Sequence, residues 1–246
     1  MGTLVRRGVA GSARALVVMW AALVLAVPLV PSAVAANTTV GAVLTAAKDA
    51  IAKQTGVHLQ VVSKSASSAS TQRIVGDLGL KAGTETVSEG AGKVTIRVTP
   101  TYGYLSGNAS GLKDIAGMTA AQVKKVGKFW VSVKAGTTPY ASIATDMTAP
   151  SIVAVLPRAK GTQLSWGTAA GANLYVLKWK TPATSSTLAL SITLTLAATG
   201  APLPVQQTTV ASNGSKETVR FSKWGERVSV SAPPASSVIP YSKVAG

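Results

Sequence analysis

The sequence predicts an α+β fold built on one strongly curved antiparallel sheet, with an N-terminal helix and a short helical lid held against its concave side. Apolar and polar residues alternate with period 2 in run after run between residues 57 and 231. Gly-containing turns separate these runs at spacings short enough for antiparallel neighbours. Apolar residues at helical spacing interrupt the series near its start and again in its middle. A sheet with one apolar face must bury it, and the helical segments are the available cover.

Residues 1–36 are set apart from that fold. Arg6, Arg7 and Arg14 form a positive leader, Ala15 to Val30 is apolar, and Ala33-Val34-Ala35 is a small-residue cleavage pattern, so the segment reads as a cleaved secretory signal peptide. The uncharged run from Ala15 to Ala36 is long enough to cross a bilayer, and an uncleaved anchor is the alternative. The Arg6-Arg7 pair leaves Sec and twin-arginine export both open. Residues 37–246 form a single domain, and the expected location is secreted or extracytoplasmic, in the cell envelope.

In chain order, Val40, Val43, Leu44, Ala47 and Ile51 share one helical face, and the helix ends near Gly56. Val57, Leu59 and Val61 then alternate with His58 and Gln60, which places His58 on the solvent side of a half-buried strand. Arg73 to Leu80 and Lys93 to Val98 are the next strands, and Tyr102 with Tyr104 opens another beyond Pro100. Thr119-Ala-Ala-Gln122 is a capping box that starts a short helix leading into a strand at Phe129 to Val133. From Tyr140 to Leu156 the apolar residues return to helical spacing, which predicts two short helices hinged at Pro150. Strands follow at Leu174–Lys180, Leu188–Leu196, Leu203–Ala211 and Thr218–Trp224, with a last one at Arg227–Ser231 before Pro233-Pro234.

Composition removes several functional classes. With no cysteine there is no disulfide, thiol nucleophile, iron–sulfur site or lipobox, and a single histidine makes an imidazole-based zinc site implausible. No cofactor and no metal is expected. No Gly-x-Ser-x-Gly elbow surrounds any serine. Glu85, Glu89 and Glu226 read as turn or helix-surface carboxylates, and Asp77, Asp114 and Asp146 as solvated or capping ones, so no catalytic residue is expected and the protein reads as a non-enzyme.

The chain carries 24 Lys and Arg against 8 Asp and Glu, for a formal charge of +16. Cleavage after Ala35 removes three basic residues and no acidic one, leaving about +13. Such a charge favours polyanions, and outside the cytoplasm these are anionic membrane surfaces and cell-wall polymers. Nucleic acid is not expected, because the bases are scattered; the densest group, Lys124, Lys125 and Lys128, reads as a solvated helix face.

Three stretches carry a family resemblance. Gly127-Lys-Phe-Trp-Val131 enters a strand after a short helix, Thr199-Gly-Ala-Pro-Leu-Pro204 makes a turn, and Val219-Arg-Phe-Ser-Lys-Trp-Gly-Glu-Arg-Val-Ser-Val-Ser-Ala-Pro-Pro234 closes the domain. These, with the order of elements, resemble the periplasmic lipoprotein carrier LolA and, more closely, the actinobacterial LppX/LprG-type envelope lipoproteins. The resemblance implies a half-barrel with a helical lid that shelters acyl chains of lipids, glycolipids or lipoproteins in transit across the envelope, exchanged with donor or acceptor envelope proteins. The sequence departs from the lipoprotein members in having Ala35-Ala36-Asn37 where they keep a cysteine, which implies a carrier without a lipid anchor.

On this reading the hydrophobic lining is Val57, Leu59, Val61, Val94, Ile96, Tyr175, Leu177, Trp179, Leu190, Ile192 and Leu194, and the lid presents Ile143, Met147, Ile152 and Leu156. Ordinary core packing is the competing role for each of these residues. The alternative function is a non-catalytic wall-associated or envelope-stress sensor module that uses the same curved fold without carrying lipid.

Overall fold

The computed structural model describes residues 38–144 and 146–245; residues 1–36, the expected signal peptide, lie outside them. Its helices are α1 (Val40–Ala52), α2 (Ala120–Val126), α3 (Thr138–Ala144) and α4 (Tyr241–Val244), together with a π-helical turn at Gly111–Ile115 and a 3₁₀ helix at Ala149–Val155. The strands are β1 (Gly56–Lys64), β2 (Thr71–Gly79), β3 (Gly83–Glu89), β4 (Gly92–Val98), β5 (Tyr102–Gly107), β6 (Trp130–Lys134), β7 (Gln163–Ala169), β8 (Ala172–Thr181), β9 (Leu190–Ala197), β10 (Pro204–Ala211), β11 (Lys216–Ser222) and β12 (Val238–Pro240).

All twelve strands belong to one sheet, ordered β12-β6-β5-β4-β3-β2-β1-β11-β10-β9-β8-β7. Two meanders, β1 to β6 and β7 to β11, meet where β1 pairs with β11, Leu59 opposite Phe221 and Val61 opposite Val219. Every pairing is antiparallel except that of β12 with β6. The sheet is open and strongly curved, which is the expected α+β architecture.

Three apolar clusters cover its inner face. Over β3–β6, the π turn, α2, α3 and Val244 bury Val94, Ile96, Val98, Leu105 and Val131. In the middle, Ile51 of α1 and Ala149 and Ile152 of the 3₁₀ helix pack on Val57, Leu59, Leu78, Val219 and Phe221. Over β8 and β9, Val43 and Ala47 of α1 meet Leu177, Leu194 and Leu196. Local sequence fixes these helices: the Thr39 hydroxyl accepts the Ala42 N–H at the start of α1, and the Thr119–Gln122 capping box forms in both directions.

The structure departs from the sequence reading in several places. β3 and β7 were not foreseen; β3 buries only Gly83 and Val87, so its alternation is weak in hydropathy. The lid is two short helices, but Pro150 lies in the first turn of the second, where its missing N–H costs no hydrogen bond, and the described residues between the two helices are 146–148. Arg227–Ser231 forms no ladder. It belongs to a strap that leaves β11 at Gly225 (φ +84°), whose N–H bonds to the Gly56 carbonyl. The strap then lays Val228 over Gly56 and Gly79, accepts a bond from Arg97 at Ser231, and ends as β12 beside β6. Its alternation arises because one side rests on the sheet and the other meets solvent. The resemblance-bearing aromatics anchor its origin: Trp224 stacks on Phe221 and donates its indole N–H to the Pro204 carbonyl at 2.8 Å.

Glycines let the lid press against the sheet. A Cβ at Gly103 would meet the flexible tip of Ile143, whereas one at Gly83 would collide with the Met147 backbone carbonyl, which has no such freedom. Gly83→Ala is therefore expected to displace the segment joining the lid helices and to destabilise the protein by about 1–3 kcal/mol, the usual cost of overpacking. Gly103→Ala is expected to cost less, and urea midpoints of the two variants measure the difference.

Candidate functional site

The register places the expected lining residues on one face of the sheet but not in one cluster. Val57, Leu59 and Val61 lie in the central cluster, Val94 and Ile96 in that of β3–β6, and Tyr175, Leu177, Trp179 and Leu194 against α1. Ile192 and Leu190 sit beside Trp179 and Thr181 on the neighbouring strand. Leu177 and Leu194 are fully buried, while Tyr175, Trp179 and Leu190 are only half-buried. Trp166 extends this surface, its ring 4.7 Å from that of Tyr175. Of the lid residues, Ile143 and Met147 face the β3–β6 cluster, while Ile152 and Leu156 face the centre.

The inner face also holds polar groups that the sequence reading missed. One cross-strand row runs Glu89, Gln72, Ser63, Glu217, Thr209, Ile192, Trp179. Glu85 and Glu89 thus lie on a strand facing inward, not in turns or on a helix surface, because β3 itself went unread. Glu89 accepts bonds from Ser70 and Gln72. Glu217 is 4% exposed and accepts a bond from Ser63; burial pushes its pKa up to about 7, and the Ser63 hydrogen bond only partly offsets this. Beside it, Gln207 and Thr209 are 7% and 1% exposed, and among the described residues Gln207 Oε1 and Thr209 Oγ1 have no hydrogen-bond partner. In β11 the alternation of Val219 and Phe221 with Thr218 and Arg220 places Glu217 inward by parity, whereas β10, with its register shift between Pro204 and Gln206, carries no such signal for Gln207 and Thr209.

Charge separates across the sheet. The inward-facing strand positions carry Glu85, Glu89 and Glu217 and no Lys or Arg, whereas Lys64, Arg73, Lys93, Arg97, Lys134, Lys178, Lys180, Lys216 and Arg220 all take outward positions. The outer face also holds His58, whose Nδ1 lies 2.7 Å from Asp77 Oδ1, so the imidazole is partnered and partly covered instead of simply solvated. Asp114 and Asp146 are exposed elsewhere. The described residues contain no group of three or more His, Asp or Glu placed to hold a metal ion.

The chain matches no protein-family profile, and comparison with curated proteins returns no match. In structure it is similar to the lipoprotein LppX of Mycobacterium tuberculosis, at 17% identity and a TM-score of 0.49, over 78% of this chain and 98% of that one. It is also similar to LprF from Mycobacterium bovis, at 15% identity and a TM-score of 0.49, over 79% and 96% of the two chains. MucB is a more distant likeness, at 14% identity and a TM-score of 0.37, over 80% of this chain and 61% of that one.

The raised pKa of Glu217 has a thermodynamic signature. Between the ordinary value of 4.5 and about 7 the folded protein keeps a proton that the unfolded chain releases, so stability is greatest below that window and falls as pH rises through it. The expected slope is about 1.4 kcal/mol per pH unit. Chemical denaturation from pH 4.5 to 8 should show this decline in the unaltered protein and its loss in Glu217→Gln.

Proposed function

We propose that this protein is an exported, non-catalytic carrier that holds acyl chains of lipids, glycolipids or lipoproteins against the inner face of its curved sheet and moves them across the cell envelope. The observation that carries this reading is the half-buried apolar surface of Tyr175, Trp179 and Leu190, continuous with the fully buried Leu177 and Leu194 where α1 packs. An acyl chain laid on such a surface gains about 0.8 kcal/mol per buried methylene, so a dozen methylenes give useful affinity without any catalytic group. The outward Lys and Arg residues supply the complement to anionic headgroups or wall polymers, so the same molecule docks by charge with its cargo held on the opposite face.

Native mass spectrometry of the protein purified from its own envelope, with lipid analysis of an organic extract, is the primary test. A stoichiometric acylated ligand is the expected result. A clean apo mass with no uptake of added lipid would remove the carrier reading and leave the wall-associated or sensor module in its place.

Two substitutions separate lining from core. Leu190→Trp is expected to abolish lipid uptake while shifting the unfolding midpoint little, because the side chain begins half-buried. Leu194→Ala, at a fully buried site, is expected to cost about 2–5 kcal/mol of stability whether or not ligand is present. If Leu190→Trp unfolded the protein, the residue would be core and this part of the surface would not be a binding surface.

Docking is read separately, by co-sedimentation with phosphatidylglycerol vesicles. Binding should fall steeply between 50 mM and 500 mM salt and be absent with phosphatidylcholine alone, following the shrinking Debye length.

A further inference from the structure

Three inward side chains on β10 and β11 are out of keeping with an apolar binding face. Thr209 stands directly opposite Glu217, and Gln207 is two residues along on the same side. Facing groups on paired strands sit about 5 Å apart at Cβ, within reach of a single small ligand group. All three are more than nine-tenths buried, and two of them leave a polar atom unpartnered. Their outward neighbours behave differently: Gln206 accepts from Arg220 and donates to Thr208. A buried polar atom left unpaired is costly, so an inward pair of them favours a ligand group that can meet both.

The chemistry of that missing group follows from what the site offers. Gln207 Oε1 accepts only, a carboxylate accepts only, and the Thr209 hydroxyl completes a set rich in acceptors. Across β1, Glu217 faces Ser63; across β10 it faces Thr209; its chain neighbour Lys216 points to the other side of the sheet, and Glu89, the next carboxyl in the row, is engaged by Ser70 and Gln72. In a chain of formal charge +16, no inward strand position supplies the cation that this carboxyl lacks. The row continues directly from Thr209 to Ile192 and Trp179, and Gln207 stands opposite Leu194. The polar group therefore sits at the end of the apolar lane.

We propose that Glu217, Thr209 and Gln207 form a headgroup site for a primary ammonium carried on an aliphatic chain, the three N–H donors meeting the carboxylate, the hydroxyl and the amide carbonyl while the chain lies over Ile192 and Trp179. This rests on the carrier reading above and narrows its cargo to acyl or alkyl ligands with an amine at the head. Binding at pH 6 transfers the Glu217 proton to the buffer, so that one carboxylate and one ammonium are buried as a pair.

The test compares dodecylamine with 1-dodecanol by calorimetry at pH 6, in buffers of different ionisation enthalpy. The proposal expects dodecylamine to bind at least tenfold more tightly, with about one proton released per ligand, and dodecanol to bind with none. In Glu217→Gln the two probes should come within about twofold of each other. Equal affinities without proton release, or an amine preference that survives Glu217→Gln, would overturn the headgroup site while leaving acyl binding intact. Failure of both probes to bind would overturn the site and the carrier reading together. Proton release is measured on the unaltered protein, so the outcome does not depend on the variant folding. Replacing dodecylamine by dodecanoyl-lysophosphatidylethanolamine tells a phospholipid source from an amine on another scaffold: retained preference assigns the first, lost preference the second.

Discussion

The pairing of β1 with β11 joins what would otherwise be two separate sheets. Ser63 and Glu217, which touch across this ladder, are 154 residues apart in the chain. The first meander carries the π turn and α2 over β3–β6 but not over β1, and the second has no helix between its strands. Once joined, the two faces form a single curved surface, and α1 and the 3₁₀ helix lie along the seam with Ile51 and Ile152 on Val57, Val219 and Phe221. The seam thus sets both the curvature and the position of the cover. It also sets where cover runs out, near Trp179 and Leu190, where the structure leaves apolar surface half-open.

Much of this was legible from period alone. The helix at 40–52, the Thr119 capping box and the strands containing Val94, Leu177 and Leu194 follow from spacing that tertiary context had no reason to override. β3 was hidden because Gly83, Glu85 and Glu89 occupy three of its four inward positions, leaving Val87 alone to give hydropathy contrast. The strap around Val228 imitated a strand because a chain lying on a sheet also buries alternate residues. The candidate lining could be read as a face but not divided into clusters, since which strands share a helix is decided by chain crossings with no local signature. Glu217 could be placed inward by the parity of β11, but Gln207 and Thr209 lie on a strand without alternation, and the burial of all three depends on the fold.

Viewed as a charged object, the sheet is two-sided. Lysines and arginines on strands take the convex face, and the inward carboxyls keep the concave one. A carboxyl whose pKa burial raises to about 7 is mostly neutral below that pH unless a cation is brought beside it. On the proposed reading, cargo and an anionic surface would be met on opposite faces by groups of opposite sign.

The strap fixes the order in which the protein can be finished. Residues 225–240 must cross strands from the middle of the sheet before β12 can pair with β6, so that edge is completed by almost the last residues of the chain. Folding dominated by such distant pairings is slow, in the millisecond-to-second range for comparable topologies. Until β12 arrives, β6 keeps an unpaired edge that is open to association. Loss of β12 would leave that edge open for good, which makes residues 238–240 a kinetic requirement as much as a structural one.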